Sequence, residues 1–430
     1  MKRITADGFD LDELELAIKL SLEASFQDSP KEPVPRLNEW RILTNRLGHN
    51  AGGSGTTFDD LIQLPNGGRP YRALVTSFNE DIQWILEKFH IWKGTCDLTI
   101  INSDPTPTSL RIHKNARLYG PPLGPGHSIM HAKLMMLRFP DRARIVVSTN
   151  NVNGFEWTGI GLMCWVADLP LITSTTTAEP PSGEGAILRD FLVKRMGWKD
   201  DEILRGIDFS HMPGVAFVPS WPGTLNSEED AGGFPALGAK AFSLVPDLAE
   251  KCAAVTFFTS SMGNITKDFL AQFPCCGAAG KRGEKGGEKR PKIAVCFHTK
   301  EDVRKANRRG LEGEGLLCFN EQFARSPRFC RDVLHKVVWK DVGRAPALSH
   351  VKLIVWADGA GAPLLAYVGS HNLSGSAWGF SRGGKVQMNN YELGVLVKDV
   401  PEAAIPFVLP APPYATAAAG SDSPWTMRFY

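Results

Sequence analysis

The sequence predicts an α/β protein built from two similar halves, and three observations carry that prediction. Short apolar, β-branched runs alternate with amphipathic segments, the pattern of layered strands and helices. The alternation restarts after about residue 211. A small polar motif, His-x-Lys followed by an apolar strand that ends in an asparagine, occurs once in each half.

In the first half, ALVTSF (73–78), CDLTII (96–101) and RARIVVS (142–148) read as strands. EDIQWILEKF (80–89) and GAILRDFLVKRM (185–196) read as helices. In the second half, AAVTFFTS (253–260) and KIAVCFHT (292–299) read as strands. GAAGKRGEKGGEKRPK (277–292), basic and glycine-rich, reads as a solvated surface loop, with a nucleic-acid contact or a nuclear address as the functional alternative. Near the start, Leu11, Leu14, Ile18 and Leu22 follow helical spacing over residues 10–25, with acids crowding the first turns, where the helix dipole favours them. SPKEPVP (29–35) stops that helix, and GHNAGGSGTT (48–57) has linker composition. The expected division is therefore a helix over 10–25, a flexible linker over 26–58, and halves over 59–210 and 211–430.

Composition narrows the class without choosing a function. The 430 residues are 43% hydrophobic and 22% charged, ordinary for a globular protein, and the length suggests two domains. With 48 Lys+Arg against 46 Asp+Glu the net charge is +2, so any basic groove must be local. MKRITADGFD has no apolar core of a signal peptide, and no uninterrupted apolar run is long enough to span a bilayer. The 8 cysteines include no C-x-x-C pair, so neither a structural zinc site nor a disulfide framework is expected, and a reducing compartment is.

The repeated motif carries the chemistry. HAKL (131–134) is followed by RIVVSTNNVNG (144–154), and HVKL (350–353) by AYVGSHNLSGSAWG (366–379). On a strand, residues two apart share a face, so His131 and Lys133 would project together, as would His350 and Lys352. One such pair alone would read as a solvated face. Two pairs, each with an asparagine downstream (Asn151, 18 after Lys133; Asn372, 20 after Lys352), point to one composite site. Two lysines and two amides can hold the non-bridging oxygens of a phosphate and the charge that develops on them. Two histidines can divide the covalent work, one attacking phosphorus and the other protonating the leaving group. No acidic cluster of metal-ligand type accompanies them, so no metal and no cofactor is expected.

These paired motifs resemble the phospholipase D superfamily and, in detail, its tyrosyl-DNA phosphodiesterase branch acting on 3′ ends. Superfamily members commonly carry an Asp four residues after the Lys; here those positions are Leu137 and Trp356, as in that branch. Further matches are SFNEDIQWIL (77–86), SSMGN (260–264), HTKEDVRKANRRGLEGEG (298–315), HNLSGSAWG (371–379) and NYELGVLV (390–397), so the resemblance runs from about residue 60 to 430. It implies two phospholipase D-like halves, each a mixed sheet flanked by helices, with the active site at the pseudo-two-fold interface.

The resemblance also implies roles: His131 as nucleophile forming a phosphohistidine–DNA intermediate, and His350 as proton donor to the departing tyrosine and then as the base that activates water. Lys133, Lys352, Asn151 and Asn372 would bind the phosphate, Glu392 would orient His131, and Ser261 and Ser374 would lie near DNA phosphates. Implied partners are DNA with a frayed or blocked 3′ end bearing a tyrosyl or peptide adduct, such as a topoisomerase I remnant. A nuclear location follows from that substrate, and a monomer is expected. One departure stands out. The family usually places a Gln about eleven residues after the first Asn to orient the acid/base histidine; here that position falls near Leu162 and no glutamine is nearby. A differently tuned second step is the expectation.

The N-terminal helix resembles a ubiquitin-interacting motif: Asp10, Asp12 and Glu13 precede Leu14, Ala17 and Ser21, which would contact ubiquitin. The alternative is a helix docked on the main body. Two functional alternatives also stand: another phosphodiesterase of the superfamily, and a catalytically silent DNA- or ubiquitin-binding adaptor.

Overall fold

The computed structural model describes residues 34–428 apart from 51–52, 104–108, 125–127, 173–181, 226–231, 278–289, 383–384 and 416–421. The residues assigned to ubiquitin binding (Leu14, Ala17, Ser21) and most of the basic loop lie outside the described residues.

The first half forms a sheet from β1 (Glu39–Thr44), β2 (Arg72–Thr76), β3 (Asp97–Ile101), β4 (Ser109–His113), β5 (Ala116–Tyr119), β7 (Leu134–Arg138), β8 (Arg142–Ser148) and β9 (Met163–Pro170). Its order is β1-β9-β8-β7-β2-β3-β5-β4. The second half contributes β10 (Val215–Ser220), β11 (Ala254–Phe258), β12 (Lys292–Cys296), β13 (Leu334–His335), β14 (Leu353–Ala357), β15 (Pro363–Gly369) and β16 (Asn390–Lys398), in the order β10-β16-β15-β14-β11-β12-β13. Strand for strand, from β1 to β5 and from β10 to β13, the two sheets have the same order and the same directions. The first pairings are antiparallel, and β2–β3, β3–β5, β11–β12 and β12–β13 are parallel. This is the duplicated mixed sheet that the repeated motif predicts.

β1 corrects the expected linker. Residues 39–44 pair with β9 along its whole length, as β10 pairs with β16, so the first half's repeat begins well before residue 59. The glycine-rich composition of 48–57 describes only the connection that follows. The strand is hard to see in sequence because EWRILT is polar at its start and only Leu43 is fully buried.

Alternation along the strands sorts side chains into three apolar layers. Leu134, Met136, Ile145, Val147 and Trp165 of the first sheet meet Phe217, Val355, Val368 and Val395 of the second in a central core. The opposite face of the first sheet (Met135, Leu137, Val146) packs on α1 (Phe58–Ile62) and α2 (Ile82–Lys88). The opposite face of the second (Ile354, Trp356) packs on α4 (Gly233–Leu244) and α5 (Lys300–Asn307). Between α2 and α4 in the chain lies α3 (Gly154–Gly159), which enters the site; the helix expected over 185–196 forms as Glu184–Arg189, continued by a π-helical turn over Asp190–Arg195.

Leu137 and Trp356, four residues after each motif lysine, are fully buried on these outer faces, and the Trp356 indole donates to the Pro274 carbonyl. An unpaired carboxylate in either place would be desolvated with no partner. The outer layer of the first half does hold a buried ion pair. Arg144 forks onto Asp168 (Nε–Oδ1 2.6 Å, Nη2–Oδ2 2.8 Å) and donates to the carbonyls of Asp60, Leu61 and Gln63, which end α1.

Candidate active site

The His-x-Lys segments lie just outside the strands in which the sequence placed them. β7 begins at Leu134 and β14 at Leu353. In the first half a side chain replaces the ladder: the Thr76 hydroxyl donates to the Ala132 carbonyl and accepts from the Leu134 amide, both at 2.8 Å. The His131 amide instead donates to the Tyr391 carbonyl of the other half (2.9 Å), continuing the pairing of the two-residue strand β6 (Ile129–Met130) with β16. Each lysine folds back on its motif: Lys133 Nζ lies 2.6 Å from the His131 carbonyl and Lys352 Nζ 2.7 Å from the His350 carbonyl. The polar side chains are thus brought together by backbone that is extended but not laddered, and Ala132, Leu134 and Met136 still point into the central core.

Both histidines reach across the interface to a carboxylate of the opposite half. His131 Nδ1 lies 2.7 Å from Glu392 Oε2. Glu392 is fully buried on β16 and also accepts from Ser370 Oγ and, at 3.0 Å, from Asn390 Nδ2. An ionised carboxylate only accepts, so Nδ1 carries the proton and Nε2 keeps its lone pair for the site. His350 Nδ1 lies 3.1 Å from Glu156 Oε2, at an angle too oblique for a hydrogen bond in this geometry. Glu156 is the residue that the sequence reading missed. It sits on α3, five residues after Asn151, and is fully buried. The signal was available as an acid in an N-capped turn directly after the motif asparagine, but only the fold shows that it faces the other half's histidine. The position near Leu162, where a glutamine was sought, belongs to β9's apolar edge; Leu162 is buried in the outer core and its amide is held by Asn45 Oδ1 (3.0 Å).

Both asparagine side chains are held by hydrogen bonds within their own halves. Asn151 Nδ2 donates to Glu156 Oε1 (2.7 Å), and its backbone amide donates to Oε2 (2.9 Å). Asn372 Oδ1 accepts from Ser260 Oγ (3.1 Å) and Thr259 Oγ1 (3.3 Å), which turns its NH2 the other way. Lys352 Nζ makes a further cross-half bond to the Thr149 carbonyl (3.0 Å). Two backbone bonds join the halves nearby: Gly161 N donates to the Leu348 carbonyl and His350 N to the Gly161 carbonyl, both at 2.9 Å. Ser261 and Ser374, half-buried, lie on one rim. The Leu373 amide donates to the Ser261 carbonyl, and Ser374 caps the short helix Gly375–Trp378. His131, Lys133, Asn151, His350, Lys352 and Glu392 therefore meet in one place with Glu156 added, and Asn372 lies two residues beyond Ser370, which donates to Glu392.

Burial governs the protonation of this cluster. Desolvation lowers His131, opposed by the Glu392 charge. It brings Lys133 down to about 8, and it holds Lys352 well below the ordinary lysine range, with Lys133 pushing the same way. Burial and Lys352 hold His350 down at about 3. For Glu156 burial acts upward, but contacts with His350 and Asn151 outweigh it and keep the carboxylate ionised. Glu392 is lowered in the same manner by His131 and Lys133. Both histidines are accordingly neutral at pH 7 in the unliganded site. Among the described residues there is no group of three or more His, Cys, Asp or Glu side chains that could hold a metal ion.

A cluster of two His–carboxylate pairs, two lysines and two amides at a pseudo-two-fold interface is suited to in-line displacement at phosphorus. Comparison with known proteins agrees. Residues 43–415 match the family model described as tyrosyl-DNA phosphodiesterase. Tyrosyl-DNA phosphodiesterase 1 of Arabidopsis thaliana is 23% identical over 396 residues, which is 85% of this chain and 62% of that protein's length. The crystal structure of the yeast tyrosyl-DNA phosphodiesterase superposes with a TM-score of 0.66 at 16% identity, over 90% of this chain and all of that one. A variant of the yeast protein gives 0.70 over 91% and 99%. With its doubled phospholipase D-like fold and a family match across most of its length, the chain belongs to the tyrosyl-DNA phosphodiesterase family.

Proposed function

We propose that the protein hydrolyses the 3′-phosphotyrosyl bond between DNA and a topoisomerase I remnant, in two steps through a covalent phosphohistidine. The observation that carries this reading is the pairing of each motif histidine with a buried carboxylate of the opposite half. In the first step His131 Nε2 attacks phosphorus, the P–O bond to tyrosine breaks, and His350 delivers a proton to the phenolate. In the second, His350 takes a proton from water, the oxygen bonds to phosphorus, and the P–N bond breaks to free the 3′-phosphate and His131. Lys133, Lys352, Asn151 and Asn372 hold the non-bridging oxygens, while Glu392 stabilises the positive ring of the phosphohistidine. Ser261 and Ser374 would meet backbone phosphates of a frayed 3′ strand. A nuclear site of action follows from that substrate. Ubiquitin binding by Leu14, Ala17 and Ser21 belongs to the same reading; loss of binding on Ala17→Arg supports it, and no binding by the intact chain ends it.

The adaptor alternative rested on a missing orienting group for His350; the Glu156 carboxylate 3.1 Å from its Nδ1 weighs against it. The test is a 3′-phosphotyrosyl oligonucleotide in excess EDTA with wild type, His131→Ala and His350→Ala. Release of 3′-phosphate by wild type, no adduct with His131→Ala and a trapped covalent adduct with His350→Ala are expected. Retained DNA binding without wild-type turnover would favour the adaptor.

A further inference from the structure

The site contains two lysines and two ionised carboxylates, and no other charge of either sign bonds to them among the described residues. In their ordinary ionisation states Lys133 and Lys352 match Glu156 and Glu392 charge for charge, and burial pulls both lysines and both histidines toward their neutral forms. All four charged side chains are at most 1% exposed, so bulk counter-ions cannot correct an imbalance. A phosphodiester entering this site brings one negative charge into a low-dielectric space that is already neutral. Its non-bridging oxygens would lie beside His350, whose Nδ1 faces the Glu156 carboxylate at 3.1 Å and makes no hydrogen bond of its own.

We propose that binding of the substrate phosphodiester draws one proton from solvent onto His350, and that Glu156 is the positioning residue that makes this possible. The resulting imidazolium is held between two anions, Glu156 at Nδ1 and the phosphate at Nε2. The general acid is thereby created by the substrate rather than kept in the empty site. With a neutral amide at residue 156 the lysines alone would leave one positive charge free to meet the phosphate, and the incentive for His350 to charge would fall. The groups facing His350 are Glu156 on α3, Lys352 on its own segment and Lys133 from the opposite half. The neighbouring Ser349 amide donates to His298 Nε2 at 2.8 Å, and His298 is paired with Asp302 at 3.8 Å. The inference rests on the reading of this cluster as a phosphodiesterase centre.

The experiment is calorimetric binding of an oligonucleotide ending in a 3′-methyl phosphodiester, whose single charge does not titrate near neutrality. It is run at pH 7 in buffers of different ionisation enthalpy, with wild type, Glu156→Gln and His350→Gln. Wild type should take up about one proton per site, and its affinity should rise by about tenfold per unit fall in pH. Both variants should bind with close to no uptake and a flat pH dependence. Uptake that persists in His350→Gln assigns the proton to another group, Lys352 first, and overturns the proposal. So does undiminished uptake in Glu156→Gln, or none in wild type. Failure of wild type to bind the ligand or turn over the phosphotyrosyl substrate would instead overturn the phosphodiesterase reading itself.

Discussion

Replacing Glu392 with Gln tests how much of the first step depends on one buried charge. In the proposed first step the attack of His131 would make its ring a cation, with Nδ1 still protonated and 2.7 Å from Glu392 Oε2. Two unit charges about 4 Å apart at an effective dielectric of about 20 attract by about 4 kcal/mol. The amide of Gln keeps an acceptor oxygen but not the charge. It must also place its NH2 where Asn390 Nδ2 now donates at 3.0 Å, because Ser370 Oγ and His131 Nδ1 both require an acceptor at the other atom. About 2–4 kcal/mol should therefore be lost from the transition state, or about 30- to 1000-fold in rate. The assay is single-turnover formation of the covalent adduct by rapid quench, in a His350→Ala background so that the adduct accumulates. A rate within threefold of the Glu392-containing control, with the fold intact by circular dichroism, would refute the argument that the carboxylate's charge drives the attack.

Other consequences follow from the same geometry. Lys352→Ala, which removes the donor shared between the phosphate site and the Thr149 carbonyl, should lower kcat/KM by about 10²–10³-fold while leaving the melting temperature within a few degrees; steady-state kinetics and a thermal melt decide it. Arg144→Met should deprive three carbonyls of their donor and leave Asp168 to Arg142 alone at 3.4 Å, destabilising the chain by about 3 kcal/mol, read as a lower urea midpoint. Stability should also fall with acid. His350 and His371 are held down at about 3 by burial against an ordinary 6.5, so the unfolded chain binds protons that the folded one refuses. Their contribution is complete above about pH 6.5 and is lost as pH falls toward 3, at no more than about 1.4 kcal/mol per pH unit each. Glu156 and Glu392, lowered from 4.5, add a loss that begins near their unfolded value and deepens below it. Melting temperatures from pH 7.5 to 4.5 that stay flat would contradict this. His371→Asn should shift the acid profile without abolishing turnover, since His371 bonds to Tyr367 and Ser220, stacks on Trp378, and reaches Glu392 and His131 only through their charge.

The amino-acid order by itself determined the class of fold, the duplication and most members of the candidate site. RARIVVS forms a strand over the very residues read from its pattern, because side-chain alternation is a local property of extended backbone. His131, Lys133, Asn151 and their second-half counterparts could be found because a duplicated motif repeats its spacing in the chain. What the chain order could not reveal was which partner each group meets across the interface. Glu156 lies 194 positions from His350 and the strand of residues 39–44 gains its identity only by pairing with β9 more than 100 positions away. The same holds for the backbone at 131–133: the sequence pattern favours a strand, but the Thr76 hydroxyl takes over its ladder and leaves the motif free to face the second half. Local periodicity is set by the residues themselves. The charge balance of a buried site is set by long-range contacts, and these exist only once the two halves have closed on each other.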